Sequence, residues 1–257
     1  MQIADSDLRV ASRIWGEVAE FPVASIDAAL DHALREVAHA IGASNAFWIG
    51  ARRENEDTRI ADPSAWRIVR ISYLDHSAER TKFTRQQAER FAAGEVDPQT
   101  VAIIAHAGNT RAHLRHELVD DRTWKRSWLY NDILRPLHVG DRLLGTHTID
   151  AHAESYVGFE RETGEDPFGE RERDFLGLFL AGAHAFHRDL LRALAPAREL
   201  TPLEHDVLCL LLTGMSEREI AWQLFLTPRT THQYVVAILR KFSLHGRVEL
   251  MAHFLRS

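Results

Sequence analysis

Cysteine is nearly absent from this chain of 257 residues, and glycine and proline are not unusually abundant. The single cysteine, Cys209, excludes a disulfide framework and a cysteine-rich zinc site. Fourteen glycines and eight prolines exclude a collagen-like or low-complexity chain. Because Cys209 lies in the apolar run from Val207 to Leu212, we expect it to be a small buried residue.

Long hydrophobic runs are missing as well. The longest stretch without Asp, Glu, Lys or Arg covers 15 residues, from Val37 to Ala51, whereas a membrane-spanning helix needs roughly 18 or more. The N-terminus carries early acidic residues and no apolar signal core, so we expect a cytoplasmic protein with no membrane partner. The net charge of −6 disfavours a general polyanion binder but leaves room for a small DNA-reading face.

Sequence motifs typical of enzymes are also absent. The chain contains no Gly-x-Ser-x-Gly, His-Glu-x-x-His or Gly-x-Gly-x-x-Gly motif and no P-loop. We therefore expect neither catalysis nor a cofactor. His113 and His116, like His184 and His187, are spaced to share a helix face. Each pair supplies only two ligands where zinc takes three or four, so we expect no metal site.

A domain boundary is predicted near Pro196, which stands between two helical patterns. It divides the chain into residues 1–195 and 196–257. Residues 198–257 carry seven Arg and Lys against six Asp and Glu. The C-terminal part is therefore the less acidic one, which is compatible with a polyanionic partner.

The first region has the pattern of an α+β domain. Ser25 is an expected N-cap, and apolar residues at spacings of three and four predict a helix that Gly42 ends. A single long helix is predicted from Glu170 to Leu194. Between these helices the pattern predicts strands at Ala46–Ala51, Trp66–Leu74, Arg142–Ile149 and Ser155–Arg161. Together they indicate an antiparallel sheet flanked by helices.

The last sixty residues predict four helices. Thr201 to Glu204 and Ser216 to Glu219 are capping boxes, and Thr227 with Pro228 opens a third helix. The second and third helices are separated by the spacing of a helix-turn-helix, whose second helix enters the major groove. The outward face of the third helix carries Arg229, His232, Gln233, Val236 and Arg240.

This region resembles the LuxR-type (NarL/GerE-type) DNA-binding domain. The resemblance rests on the spaced segments Leu200–Glu204, Gly214–Ala221, Leu226–Thr231, Leu239–Phe242 and Arg247–Leu250. It implies an all-α four-helix domain that binds DNA as a dimer. Departures occur at Thr231, where an aliphatic residue is usual, at His232, where Lys is common, and at Tyr234, where His is frequent.

The same resemblance assigns roles to individual positions. It places His232, Gln233 and Val236 at base edges and Thr227, Thr230 and Lys241 at the DNA backbone. The complete set of candidate DNA-binding residues is Ser216, Thr227, Arg229, Thr230, His232, Gln233, Val236, Arg240 and Lys241.

Two segments of the first region, residues 128–137 and 156–173, resemble the GAF-like sensor halves of some LuxR-type regulators. That resemblance implies a sheet with a pocket on one face and flanking helices that can dimerise. Aromatic residues are the natural lining of such a pocket. The candidates are Trp48, Trp66, Tyr73, Trp128 and Tyr156.

The sequence thus predicts a homodimeric, DNA-binding transcriptional regulator. Its first domain, a GAF-like sensor and dimerisation domain, senses a small molecule or a protein and positions the helix-turn-helix domains on a short DNA repeat. Two alternatives stay open for the first domain: a docking module for a partner protein without any ligand, or a metal- or haem-responsive switch. A contact with RNA polymerase is also compatible with this interpretation.

Overall fold

The computed structural model describes residues 3–22, 25–53, 57–75, 77–242, 244 and 246–255. The chain forms two compact units, Met1–Phe21 with Asp27–Leu191, and Pro22–Ile26 with Arg192–Ser257. Among the described residues, no helix combines the length and hydrophobicity that a bilayer crossing requires.

The first unit is built on a five-stranded antiparallel sheet. Its strands are β1 (Asn45–Arg53), β2 (Trp66–Tyr73), β3 (Arg111–Leu114), β4 (Val139–Asp150) and β5 (Ala153–Glu162). Their order across the sheet is β2-β1-β5-β4-β3. Strands β4 and β5 form a hairpin, and β1 pairs with β5 with Trp48 opposite Val157. The predicted antiparallel sheet is confirmed, and β3 adds a short edge strand that the sequence pattern did not single out.

Helices cover both faces of this sheet. They are α1 (Asp5–Ala19), α2 (Ile26–Ile41), α3 (Ala78–Ala92), α4 (Pro98–Ile104), α5 (Arg115–Leu118), α6 (Asp121–Arg126), α7 (Glu170–Gly182) and α8 (His184–Glu199), with a 3-10 turn at Pro63–Ala65 and a π-helical turn at Leu129–Leu134. Helix α7 packs on β3 and β4, where Leu176 and Leu180 lie against Gly145. On the opposite face, Ile103 and Ile104 of α4 form a core with Phe47 and Leu144.

The prediction of a single helix from Glu170 to Leu194 is wrong, because the helix is interrupted at Ala183. The indole Nε1 of Trp15 donates a hydrogen bond to the Phe179 carbonyl at 3.0 Å. In a continuous helix that carbonyl would accept from the Ala183 N–H, which instead lies 3.4 Å from the Leu180 carbonyl. Gly182, a poor helix former, sits directly against the Trp15 ring at the same point.

Helix α8 also extends further than expected. It continues to Glu199 and includes Pro196, whereas the sequence pattern predicted an interruption between Leu194 and Leu200. A helix that passes through a proline loses one backbone hydrogen bond and also crowds the carbonyl four residues earlier, at a cost of about 3 kcal/mol.

The second unit contains the four predicted helices, which are confirmed. They are α9 (Pro202–Leu212), α10 (Glu217–Gln223), α11 (Pro228–Lys241) and α12 (Arg247–Leu255). Their core holds Leu200, Val207, Leu208, Leu211, Ile220, Val235, Ile238 and Leu250. Cys209 is exposed rather than buried, because it lies on the side of α9 opposite to the face that Val207 and Leu211 bury.

Candidate nucleic-acid interface and ligand cavity

A four-residue turn joins α10 to α11. The Leu226 N–H donates to the Ala221 carbonyl at 2.8 Å, and Phe225 adopts a left-handed backbone with φ +55°. These contacts close the end of α10 and reverse the chain. The turn therefore sets the two helices in the predicted helix-turn-helix order.

Helix α11 begins as its sequence predicts. The Thr227 hydroxyl accepts from the Thr230 N–H at 3.1 Å, as an N-cap does. Thr231 is fully buried, and its hydroxyl donates to the Thr227 carbonyl at 3.2 Å. The departure at this position is thus accommodated, since the buried hydroxyl has a partner.

Two faces of α11 differ in burial. Thr231, Val235 and Ile238 are buried at helical spacing, and Tyr234 is half-buried against the same core. The opposite side is exposed and carries Arg229, His232, Gln233, Val236 and Arg240. Burial thus presents the five predicted outward residues as one continuous row.

Two of the candidate DNA-binding side chains already have acidic partners. The Nδ1 of His232 lies 3.1 Å from an oxygen of Glu217 on α10. The Nζ of Lys241 donates to Glu204 at 2.7 Å. Sequence reasoning missed both contacts, because they join residues 15 and 37 positions apart.

The remaining candidates lie at helix starts. Ser216 caps α10 by accepting from the Glu219 N–H at 3.4 Å. Thr230 is half-buried, and its hydroxyl lies 2.8 Å from that of Thr227. The start of α11 brings backbone N–H groups and a helix dipole towards the surface, where an anion is favoured. The first turn of α10 already carries the carboxylates of Glu217 and Glu219.

The first unit contains a cavity of about 90 Å³ between the sheet and the helices α3 and α4. Its walls include five aromatic rings. Three of them, Trp66, Trp128 and Tyr156, belong to the predicted ligand-binding set, and they are joined by Phe47 and Phe91.

Two predicted aromatic residues lie outside this cavity. Side chains alternate along a strand, so Trp48 points away from the face that its neighbours Phe47 and Ile49 share with the cavity. The Trp48 indole is buried on the other face and donates to the Ser155 hydroxyl at 2.5 Å. Tyr73 borders a separate cleft of about 10 Å³.

Polar groups that sequence reasoning missed also line the cavity. The Arg142 guanidinium donates to the Gln99 side-chain oxygen at 3.0 Å and lies 4.7 Å over the Phe47 ring. Both residues are almost fully buried. An arginine within the mostly apolar strand β4 was the available signal, since a charged residue is rarely buried without a partner.

The Tyr156 hydroxyl is held by a buried ion pair. It donates to Glu154 at 2.7 Å, and Glu154 also pairs with Arg111 at 3.0 Å. Burial and the adjacent carboxylate raise the pKa of Tyr156 well above its ordinary value. The ring therefore faces the cavity as a neutral apolar surface.

Three histidines meet where α8 begins. The Nε2 of His147 lies 2.9 Å from the Nδ1 of His184, and the rings of His147 and His187 stack 4.8 Å apart. His187 is buried, and its Nδ1 lies 2.7 Å from the Ser155 hydroxyl. Within the described part of the chain, no group of three or more His, Cys, Asp or Glu residues has an arrangement that could hold a metal.

Comparison with known proteins places the C-terminal region. Residues 198–254 match the family model of bacterial regulatory proteins, luxR family. Proteins of Mycobacterium bovis and Mycobacterium tuberculosis that are named HTH-type transcriptional regulators are 41% identical over 59 residues. That segment is 22% of this chain and 7% of the length of those relatives.

Solved structures are similar over a longer part of the chain. SdiA in complex with octanoyl-rac-glycerol has a TM-score of 0.50 at 14% identity, and the match covers 98% of this chain and 95% of that one. At this identity the likeness concerns the fold alone. A GAF domain from Synechocystis covers 63% of this chain at 12% identity and a TM-score of 0.34. The family match and the helical geometry coincide at the C-terminus, and residues 198–254 form a helix-turn-helix domain of the luxR family of bacterial regulatory proteins.

Proposed function

We propose that this protein is a transcriptional regulator that reads double-stranded DNA with α11. The observation that carries the proposal is the exposed row from Arg229 to Arg240 on a helix whose other face is anchored in the core. Gln233 can pair with an adenine edge, and Val236 can contact a thymine methyl group. Arginines at both ends of the row can neutralise phosphates.

We further propose that two copies act together on a short inverted or direct repeat. Each helix-turn-helix domain contacts one half-site, so a dimer reads two half-sites about one helical turn apart or a multiple of it. The first unit supplies the dimer contact and carries the signal. The signal favours one arrangement of the two DNA-binding domains over others.

The cavity in the first unit supports a small-molecule signal over a purely protein one. Ligand sites are concave and mostly apolar with a few placed polar groups, and this cavity has five rings and the Arg142–Gln99 pair. The fold neighbour SdiA is named in complex with octanoyl-rac-glycerol. If the first unit is instead a docking module without a ligand, a substitution that fills the cavity should leave the response to the signal unchanged.

Selection of bound DNA from a random pool with the full-length protein tests the proposal. We expect an enriched motif of two related half-sites, and a Gln233→Ala variant that enriches a motif relaxed at one base position. Recovery of unrelated sequences by the unmodified protein would contradict the DNA-reading role.

A further inference from the structure

The cavity is small and open on one side. Its volume is about 90 Å³, which is smaller than the engineered apolar cavity of about 150 Å³ that binds benzene. The walls from Phe47, Trp66, Ile103 and Leu144 are buried and fixed within the core. A bound ring therefore extends beyond this space through the open side of the cavity.

A buried hydrogen-bond donor on the wall of this cavity has no hydrogen-bond partner among the described residues. The Gln99 side chain is 2% exposed, and its Nε2 makes no hydrogen bond with any residue in the described part of the chain. Its orientation is fixed, because the guanidinium of Arg142 can only donate and takes the Gln99 oxygen at 3.0 Å. A buried amide without a partner costs free energy that an entering acceptor would recover.

Other polar groups along the wall already have partners. The Trp66 indole donates to the Ile60 carbonyl at 2.7 Å, and the Tyr156 hydroxyl donates to Glu154. The Asp97 carboxylate accepts from the N–H and the hydroxyl of Thr100. The Nε of Arg142 also makes no hydrogen bond within the described residues, but it lies 3.4 Å from the Glu160 carboxylate. Gln99 Nε2 is therefore the buried donor of the described wall that has no acceptor nearby.

Charges around the cavity are balanced. Arg142 lies 3.4 Å from Glu160, which also pairs with Arg80 at 2.8 Å. The buried carboxylate of Asp97 lines the same cavity. Two buried arginines in or next to the wall are therefore matched by two buried carboxylates, and the exposed Arg67 and Glu95 of the wall also carry opposite charges. A carboxylate ligand would add a negative charge without a counter-charge, whereas a neutral carbonyl would not.

We propose that the cavity binds a neutral single-ring compound with one carbonyl oxygen. The ring packs among Phe47, Trp66 and Tyr156, and the oxygen accepts from Gln99 Nε2. This inference rests on the proposed small-molecule sensing and names the class of its ligand. It differs from a long acyl chain in presenting a flat ring to the five aromatic side chains of the wall.

Calorimetric titration of the full-length protein with three matched probes tests the proposal. Acetophenone has the ring and the oxygen, ethylbenzene has the ring alone, and benzoate has a charged carboxylate. We expect acetophenone to bind at least tenfold more tightly than either of the others.

The variant Gln99→Glu isolates the donor, because it keeps an oxygen for Arg142 and replaces the amide NH2 by a second acceptor. We expect it to lose at least tenfold in acetophenone affinity. Gln86→Glu makes the same chemical change at a half-buried position of α3 that does not line the cavity and should stay within twofold. Circular dichroism and melting temperature check that both variants are folded.

Several outcomes would overturn the inference. If ethylbenzene binds as tightly as acetophenone, the carbonyl oxygen is not recognised. If benzoate binds more tightly than acetophenone, the ligand is not required to be neutral. If Gln99→Glu keeps the affinity for acetophenone, Gln99 is not the donor. If the protein binds octanoylglycerol but none of the ring compounds, the cavity still binds a small molecule, but the proposed single-ring ligand is wrong. If the unmodified protein selects no DNA motif, that result is separate, because it concerns α11 and not the cavity.

Discussion

The Nζ of Lys241, at the end of α11, lies 2.7 Å from the Glu204 carboxylate at the start of α9. Glu204 also accepts from the Thr201 N–H at 2.5 Å and completes the capping box there. Burial alone would raise the pKa of Glu204, but the Lys241 ammonium and the Thr201 hydrogen bonds lower it. The Glu204 side chain thus ties α11 to the start of α9.

We expect Glu204→Ala to lower the free energy of unfolding of the C-terminal unit by about 1–2 kcal/mol, because it removes a cap and an ion pair. Glu204→Gln keeps the acceptor for Thr201 and should cost less than the alanine variant. Chemical denaturation of the full chain, followed by helical circular dichroism, measures the difference. Equal losses in the two variants would show that the cap contributes nothing.

The proposed contact of Gln233 with a base edge leads to a second prediction. Gln233→Ala should cost about 1–3 kcal/mol at one base position and relax the preference there. Its matched control is Arg240→Ala, at an exposed position of the same helix face, which should weaken binding to all sequences alike and reduce the salt dependence by about one charge. Fluorescence anisotropy with a set of single-base operator variants measures both. Unchanged affinity of the Gln233 variant for every operator would exclude it from base reading.

The C-terminal helices were predictable because their signals are local. Capping boxes such as Ser216 with Glu219 lie three residues apart, and the buried row of α11 repeats at helical spacing. The pairing of His232 with Glu217 was not predictable. It depends on how two helices cross, which no pattern within a single helix records.

In the first unit, the alternation of side chains predicted which residues belong to the strands, but it did not predict which face of the sheet borders the cavity. Phe47 and Trp48 are neighbours with similar aromatic character, yet only Phe47 reaches the cavity. The break at Ala183 depends on Trp15, which lies far away along the chain and takes the Phe179 carbonyl. The roles of Gln99 and Arg142 likewise require the contact between α4 and β4.

Close packing at Gly182 leads to a third prediction. A Cβ at this position would overlap the Trp15 ring, so Gly182→Ala forces the ring or α7 to move. Overpacking of this kind costs about 1–3 kcal/mol, although alanine favours the helix by itself. Gly177→Ala is the control, because its Cβ would meet only Ala112 at an ordinary 3.9 Å. Calorimetric melting of both variants measures the difference, and a Gly182→Ala protein as stable as the control would contradict the prediction.

The histidine cluster predicts an acid sensitivity of the first unit. Burial, and then the neighbouring His147 and His184, hold the pKa of His187 well below its ordinary value of 6.5. Burial and His184 also lower the pKa of His147. A hydrogen bond with the Leu180 backbone and the Glu154 carboxylate partly offset this decrease. Because the folded state disfavours the protonated imidazole, the unfolded state binds more protons once the pH falls below about 6.5.

Stability contributed by neutral His187 is therefore present above pH 6.5 and decreases as the pH falls towards the lowered folded pKa. The slope is at most about 1.4 kcal/mol per pH unit for each proton taken up. His187→Asn keeps a polar partner for Ser155 and cannot titrate, so its melting temperature should fall less steeply between pH 6.5 and 5. His39→Asn changes a helix-surface histidine on α2 and should leave the slope as it is in the unmodified protein. Parallel slopes for all three proteins in scanning calorimetry would mean that the cluster does not set the acid sensitivity.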